Sequence, residues 1–409
     1  MTTIEEKFRG LGVDHAPGQE IRQHDADARE LAPGELLTGA AVDFSHGDVD
    51  ADAFEPTPGA LDAFVAGYSR GGEQAYTEYR GSAAIREHVA AGLGAFTGRP
   101  IAAREELIVT PGTQSALFLA IASTVVARDK VAIVQPDYFA NRKLVEFAGA
   151  QVVPVRMDYL GGTETACLDL GQLEAAFRSG VKTFLFSNPS NPTGVVYARA
   201  EIEAIARLAN DHGVTVIVDQ LYSRLLFPGR TYTHLCAAGM DPQRVVTIMG
   251  PSKTESLSGF RLGVAFGAPQ IIERMEKLQA IVSLRAPGYC QAVLQTWFAE
   301  PDGWLVERIT QHQAIRDDLL AVFRAVDGMA VRTPEAGSYL FPQLPPLSVP
   351  LIEFVRRLRV EANVTVTPGT EFSPHAIDSI RLNFSQNHHR ALQAAGRIAA
   401  MVERYRARR

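Results

Sequence analysis

The residues of this chain that can do chemistry recur at one kind of place, just after short apolar, β-branched runs. Residues 214–218 lead into Asp219, with Tyr222 three positions on. A carboxylate at the mouth of a buried strand is costly without a cation or hydrogen bonds, so Asp219 reads as a functional acid. Residues 245–249 lead into Gly250-Pro251-Ser252-Lys253, and Gly259-Phe260-Arg261-Leu262-Gly263 follows. A lone loop lysine is ordinarily solvated, but its amine is also a nucleophile and a base, and Lys253 gains meaning in combination. Residues 107–110 lead into Pro111-Gly112-Thr113-Gln114 at a helix start, where free N–H groups suit a phosphate and where a plain turn with a helix cap would look the same. Tyr138, in Pro136-Asp137-Tyr138, is a ring for stacking or for packing. Asn188-Pro189-Ser190-Asn191-Pro192-Thr193-Gly194 is a rigid loop; a turn explains its Pro and Gly residues but does not require Asn191.

The elements that must position these groups alternate in type. Strands are expected at 107–110, 131–135, 151–155, 183–187, 214–218, 245–249 and 262–266, with helices at 114–127, 139–148, 170–178 and 201–212 between them. That order predicts βαβ units, hence a doubly wound, largely parallel α/β sheet that binds ligands at the carboxyl ends of its strands. Helices are expected next at 270–282, 291–300 and 304–326. A mixed tail follows, with strands at 329–333, 338–344, 364–367 and 379–384 and helices at 351–361 and 390–406. The division expected is an arm over residues 1–45, a large domain over 46–300 and a smaller α+β domain over 301–409.

Composition narrows the partners. A chain of 409 residues exceeds one small binding module, and 46% hydrophobic with 21% charged residues is ordinary globular usage. Forty Lys and Arg against 46 Asp and Glu give a net charge of -6, so neither nucleic acid nor an anionic membrane is an expected partner. Cys167, Cys236 and Cys290 are odd in number and widely spaced, which suggests a reducing cytoplasm rather than a disulfide framework or a metal site. The opening MTTIEEKFRG carries acids where an export signal would carry positive charge, and no apolar run is long enough to span a membrane.

Taken together, and in this order, the motifs resemble the fold-type I pyridoxal phosphate enzymes, specifically the class I/II aminotransferases, from about residue 42 to residue 381. The resemblance implies a three-layer α/β large domain with a seven-stranded, mostly parallel sheet beside the smaller domain. It implies that Lys253 carries pyridoxal 5'-phosphate as an aldimine, that Asp219 pairs with the pyridine nitrogen, and that Asn191 and Tyr222 bond the ring hydroxyl. It further implies that Tyr138 stacks on the ring and that Gly112, Thr113, Gln114, Ser252 and Arg261 hold the phosphate. Tyr76, in Ala75-Tyr76-Thr77-Glu78-Tyr79-Arg80-Gly81, would reach the phosphate of a second subunit in a homodimer. Arg381, in Ser379-Ile380-Arg381-Leu382-Asn383-Phe384, would clamp the substrate α-carboxylate with the help of Gly47.

The function implied is amino transfer between an amino acid and a 2-oxo acid; elimination, replacement or cyclisation on the same cofactor is the alternative. A non-catalytic regulator would need an attached DNA-binding domain, and about 45 residues ahead of the motifs are too few. Several positions depart from the family pattern: Gly250 where a phosphate-binding hydroxyl is common, Gln220 after Asp219, Glu255 after the lysine, and His46, Asp48 and Val49 in the amino-terminal signature. His46, Asp48 and Glu255 either line an unusual substrate pocket or are, respectively, a structural histidine and two solvated acids. Arg285 stands near where related enzymes present groups across a dimer interface; it either receives a second substrate carboxylate or, as is favoured here, has a structural or phosphate-side role.

Overall fold

A computed structural model describes residues 4–9, 11, 31, 34–50, 52–161 and 167–407. Its strands, in chain order, are β1 (Val42–Asp43), β2 (Leu107–Thr110), β3 (Lys130–Gln135), β4 (Gln151–Arg156), β5 (Thr183–Ser187), β6 (Thr215–Asp219), β7 (Val245–Met249), β8 (Gly263–Gly267), β9 (Tyr339–Leu340), β10 (Val364–Thr365), β11 (Thr367–Pro368) and β12 (Ile380–Asn383). The central sheet has seven strands in the order β2-β8-β7-β6-β5-β3-β4. All neighbours pair in parallel except β8, which runs antiparallel to both β2 and β7. Because β8 is reversed, its amino-terminal end meets the carboxyl ends of the others, with Gly263 opposite Thr110. Arg261, before a strand, therefore arrives at the same edge as Asp219 and Lys253, which come at or after strand ends.

Burial follows the two-residue period. Ala132, Val134, Phe184, Phe186, Val216 and Val218 join the core on one face of the sheet. Val131, Ile133, Leu185, Ile217, Val246 and Ile248 join the core on the other. Strands buried on both faces are what helix layers above and below require, and they explain the near-continuous apolar runs. Pro154, which has no amide proton, lies on the edge strand β4, where one less ladder donor is tolerated.

A third core gathers Ile315, Leu319 and Phe323 from helix Trp304–Arg324, Phe354 and Leu358 from helix Leu351–Ala362, and Ile398 and Met401 from helix His388–Tyr405. Val42, Phe44 and Phe54 pack into this core too, and β1 pairs in parallel with β10. The segment around residues 42–54 and the carboxyl-terminal helices thus share one core. Glu361 reinforces the seam: its carboxylate accepts from the Gly34 backbone N–H at 3.1 Å, Tyr405 Oη at 2.7 Å and Arg404 Nη1 at 2.9 Å. Most of the expected 1–45 arm lies outside the described residues.

Three expected elements are corrected. Residues 291–300 are not one helix: a turn at Gly288–Gln291 passes into a 3₁₀ segment at Ala292–Thr296, and Phe298 has φ +65. Pro301 disfavours helical backbone at Glu300, and Trp297 is fully buried, so the chain opens here instead of coiling on. Residues 329–333 form no strand beyond a bridge from Ala330 to Gln343, and the strand expected at 338–344 shrinks to β9, since Pro342 has no ladder donor. Helices Ala60–Ser69 and Ala83–Thr97 add to the elements expected. Among the described residues no helix is long and apolar enough to cross a membrane.

Candidate active site

At the carboxyl edge of the central sheet a cleft is lined by Gly47, Thr113, Gln114, Tyr138, Asn191, Asp219, Tyr222, Ser252, Lys253, Arg261 and Arg381. Eleven of the residues singled out from sequence thus converge from eight separate segments. The amide-rich end is built by close backbone approach. Gly112 has φ +85, and a Cβ there would sit 2.6 Å from Arg261 Nη2. Arg261 itself has φ +54, an uncommon conformation for a residue with a side chain, held where the chain turns into β8. Helix Thr113–Thr124 starts at this point and brings its amino-terminal partial charge to the cleft. Gly250 also has a local reason: a Cβ there would lie 2.8 Å from Thr113 Cγ2, leaving no room for a hydroxyl side chain.

Asp219 ends β6, and its carboxylate accepts the Leu221 backbone N–H at 3.0 Å. Burial pushes it up to about 6, the state of an acid that lacks a cationic partner. Lys253 is lowered, first by burial and against the pull of Asp48, whose Oδ1 lies 3.6 Å from Nζ. Tyr222 and Tyr339 share a hydroxyl–hydroxyl bond of 2.6 Å. Tyr138 Oη donates to Gln114 Oε1 at 2.9 Å, which fixes the ring at the cleft wall. Below it, Asp137 accepts the Tyr138 N–H at 2.6 Å and the Ser187 N–H at 2.9 Å; burial raises it to about 7. Ser187 Oγ in turn accepts the Asn191 N–H at 3.2 Å, so the asparagine loop is braced from the end of β5.

Arg381 reaches the cleft from β12 and is 1% exposed. Its Nη1 donates to Asn191 Oδ1 at 3.2 Å and its Nη2 to the Ser45 carbonyl at 2.6 Å, with the guanidinium 4.5 Å from the Tyr339 ring centroid. Two carbonyl-type acceptors do not neutralise the cation, so a carboxylate remains its natural partner.

Some expected residues stand elsewhere. His46 does not line the cleft: its Nε2 is 3.0 Å from Asp43 Oδ2, beside a groove shared with Asp48 and Asn387. Tyr76 is 70% exposed, with the Arg285 guanidinium 3.4 Å from its ring centroid. Arg285 Nη1 donates to the Thr77 carbonyl at 2.6 Å, a structural contact that shapes this edge. Glu255 neither lines the cleft nor meets solvent; it is buried against Arg224. Sequence reading missed Tyr339, Ser187, Leu117, Phe139 and Leu221 as lining residues. The Gly337-Ser338-Tyr339 turn into a short strand was the available signal for the first; the other four look like ordinary strand, helix and turn residues.

The cleft fits pyridoxal phosphate: its lining offers an amide-rich turn suited to an anion, a lysine amine, a tyrosine ring, and a buried acid whose raised protonation suits a cationic partner such as a pyridinium. A seven-stranded sheet of this order, carrying that set on its carboxyl edge, defines a fold-type I pyridoxal phosphate enzyme. The chain belongs to the aminotransferase class I and II family, whose model matches residues 40–398. An aspartate aminotransferase from Rhodobacter sphaeroides is 61% identical and superposes with a TM-score of 0.93, covering 99% of this chain and 100% of that one. An aspartate/prephenate aminotransferase of Thermus thermophilus is 28% identical over 73% of this chain and 76% of its own. An arginine–pyruvate transaminase of Pseudomonas aeruginosa is 26% identical over 87% and 88%. The protein is a pyridoxal phosphate-dependent aminotransferase acting on amino and 2-oxo acids.

Proposed function

We propose that L-aspartate is an amino donor, with a 2-oxo acid as acceptor, and that the enzyme works as a cytoplasmic homodimer. The observation that carries the substrate is the whole-length 61% identity to the Rhodobacter aspartate aminotransferase. Arg381 binds the α-carboxylate in two parallel hydrogen bonds, orienting the α-hydrogen toward Lys253. Lys253 Nζ, whose protonated form burial disfavours, takes the α-proton and returns it. Asp48, 3.6 Å away, stabilises the ammonium that results. Asp219 would supply the anionic partner for a bound pyridinium, and Tyr222 and Asn191 would donate to the ring hydroxyl. Bound pyridoxal phosphate supplies the electron sink that makes the α-proton acidic.

The two-body division supports closure of the cleft over substrate: the larger domain falls within residues 46–300, and residues 301–409 with the segment leading into residue 46 form the smaller. An exposed apolar surface supports the homodimer. Leu61, Val65 and Tyr68 on helix Ala60–Ser69, with Tyr76, Ile281 and Val282, are all more than half exposed. Tyr76 stands on it, suited to reach a second subunit's phosphate site. Cys167, Cys236 and Cys290 form no disulfide with one another, which supports a reducing compartment.

Adding L-aspartate to the purified holoenzyme should convert the lysine-bound chromophore to the aminated cofactor and release oxaloacetate. A chromophore unchanged by aspartate but bleached by another amino acid overturns the substrate. Ammonia release with the chromophore retained would favour elimination instead. Lys253→Ala should lose the borohydride-fixed cofactor and at least roughly 10³-fold of turnover.

A further inference from the structure

Beneath the lysine turn lies a buried ionic cluster that the roles above do not use. Arg224 Nη1 is 2.5 Å from Glu255 Oε1 and 2.7 Å from Glu300 Oε1, and Nη2 is 3.0 Å from Glu300 Oε2. The three side chains are 7%, 1% and 7% exposed, and the guanidinium lies 4.4 Å from the Phe298 ring centroid. Two carboxylates share one guanidinium here, and burial raises Glu255 to about 7.

What the cluster joins gives it a purpose. Glu255 is two residues beyond Lys253, in a turn where Ser256 adopts φ +55 and its N–H donates to the Lys253 carbonyl at 3.2 Å. The Glu255 carbonyl accepts from Thr57 N at 3.0 Å, and Arg308 Nη1 donates to Ser256 Oγ at 2.7 Å. Arg224 is two residues beyond Tyr222, in a tight turn closed by Ser223 N–H to the Gln220 carbonyl and Leu225 N–H to the Tyr222 carbonyl. Glu300 is at the exit toward helix Trp304–Arg324. A charged fork so placed fixes the distance between the lysine turn and the acid-tyrosine turn.

We propose that Arg224 and Glu255 are positioning residues for amino transfer, their buried link holding the Lys253 amine in register with Asp219 and Tyr222. This rests on Lys253 as the cofactor lysine, which peptide mapping of the borohydride-fixed cofactor checks on its own. Glu255→Ala severs the link without orphaning a charge, because Arg224 keeps Glu300. In the holoenzyme it should lower kcat at least roughly 10-fold with the amino-acid KM nearly unchanged, since Arg381 is untouched. The pH midpoint of the lysine-bound chromophore should move by more than about 0.5 unit. Glu255→Gln keeps a hydrogen-bonding group toward Arg224 and should stay near wild type in both. A folded Glu255→Ala with wild-type midpoint and kcat overturns the proposal, as does a Glu255→Gln equally impaired. Should Glu255→Ala not fold, Arg224→Lys decides: its ammonium cannot fork to both acids, so a wild-type midpoint there overturns the link. Cofactor fixed to a lysine other than Lys253 overturns the site reading itself.

Discussion

Asp48 Oδ1 lies 3.6 Å from Lys253 Nζ, while Asp48 Oδ2 accepts the Ser258 hydroxyl at 2.9 Å. The acid comes from the segment that packs in the third core and the lysine from a turn after the central sheet's β7, so the pair links that core to the sheet. Asp48 is half exposed, which tempers the field it exerts on the amine. A negative charge so near favours the protonated nitrogen. Asp48→Asn should therefore lower the pH midpoint of the lysine-bound chromophore by roughly 0.5–1 unit. An unshifted or raised midpoint contradicts the pairing.

In the folded cofactor-free chain burial pushes Asp219 up to about 6 from its ordinary 3.8. Between those values the folded state holds more protons than the unfolded one, so this group's contribution to stability falls as pH rises through the window. Relative to wild type, cofactor-free Asp219→Asn should gain Tm progressively from about pH 4 to about pH 6. If a pyridinium pairs with the ionised acid as proposed, the gain should vanish in the holoenzyme. A constant difference across that range would tell against the burial argument.

Arg381→Lys retains the charge but not the fork, and an ammonium cannot keep both Asn191 and the Ser45 carbonyl while holding a carboxylate. The half-reaction with amino acid should show kcat/KM reduced roughly 10- to 100-fold, mostly through KM. Cofactor absorbance should be unaffected; a changed chromophore with unchanged KM would move Arg381 out of the substrate site.

Gly112→Ala faces both φ +85 and Arg261 Nη2 at 2.6 Å from the new Cβ. Stability should fall by more than about 1 kcal/mol, and pyridoxal phosphate affinity should weaken, read by Tm and by equilibrium dialysis. Tight cofactor binding in this variant would show that the turn is not part of the anion site.

The alternation of strands and helices in the central sheet was legible in the sequence because it rests on local periodicity. β2, β5 and β7 fall where the apolar runs stand. The helix expected at 291–300 failed because its apolar spacing is real but Pro301 and the burial of Trp297 overrode it. The chemical residues after each strand were legible for a related reason: an open sheet collects strand ends at one edge. What only the tertiary structure decided are meetings between remote parts of the chain. Arg381 on the carbonyl of Ser45, 336 positions away, Asp48 on Lys253, and Glu255 turned inward onto Arg224 leave no local pattern. An acid in a loop has the same sequence signature whether solvated or buried, because what pays for its burial is a cation brought by another segment.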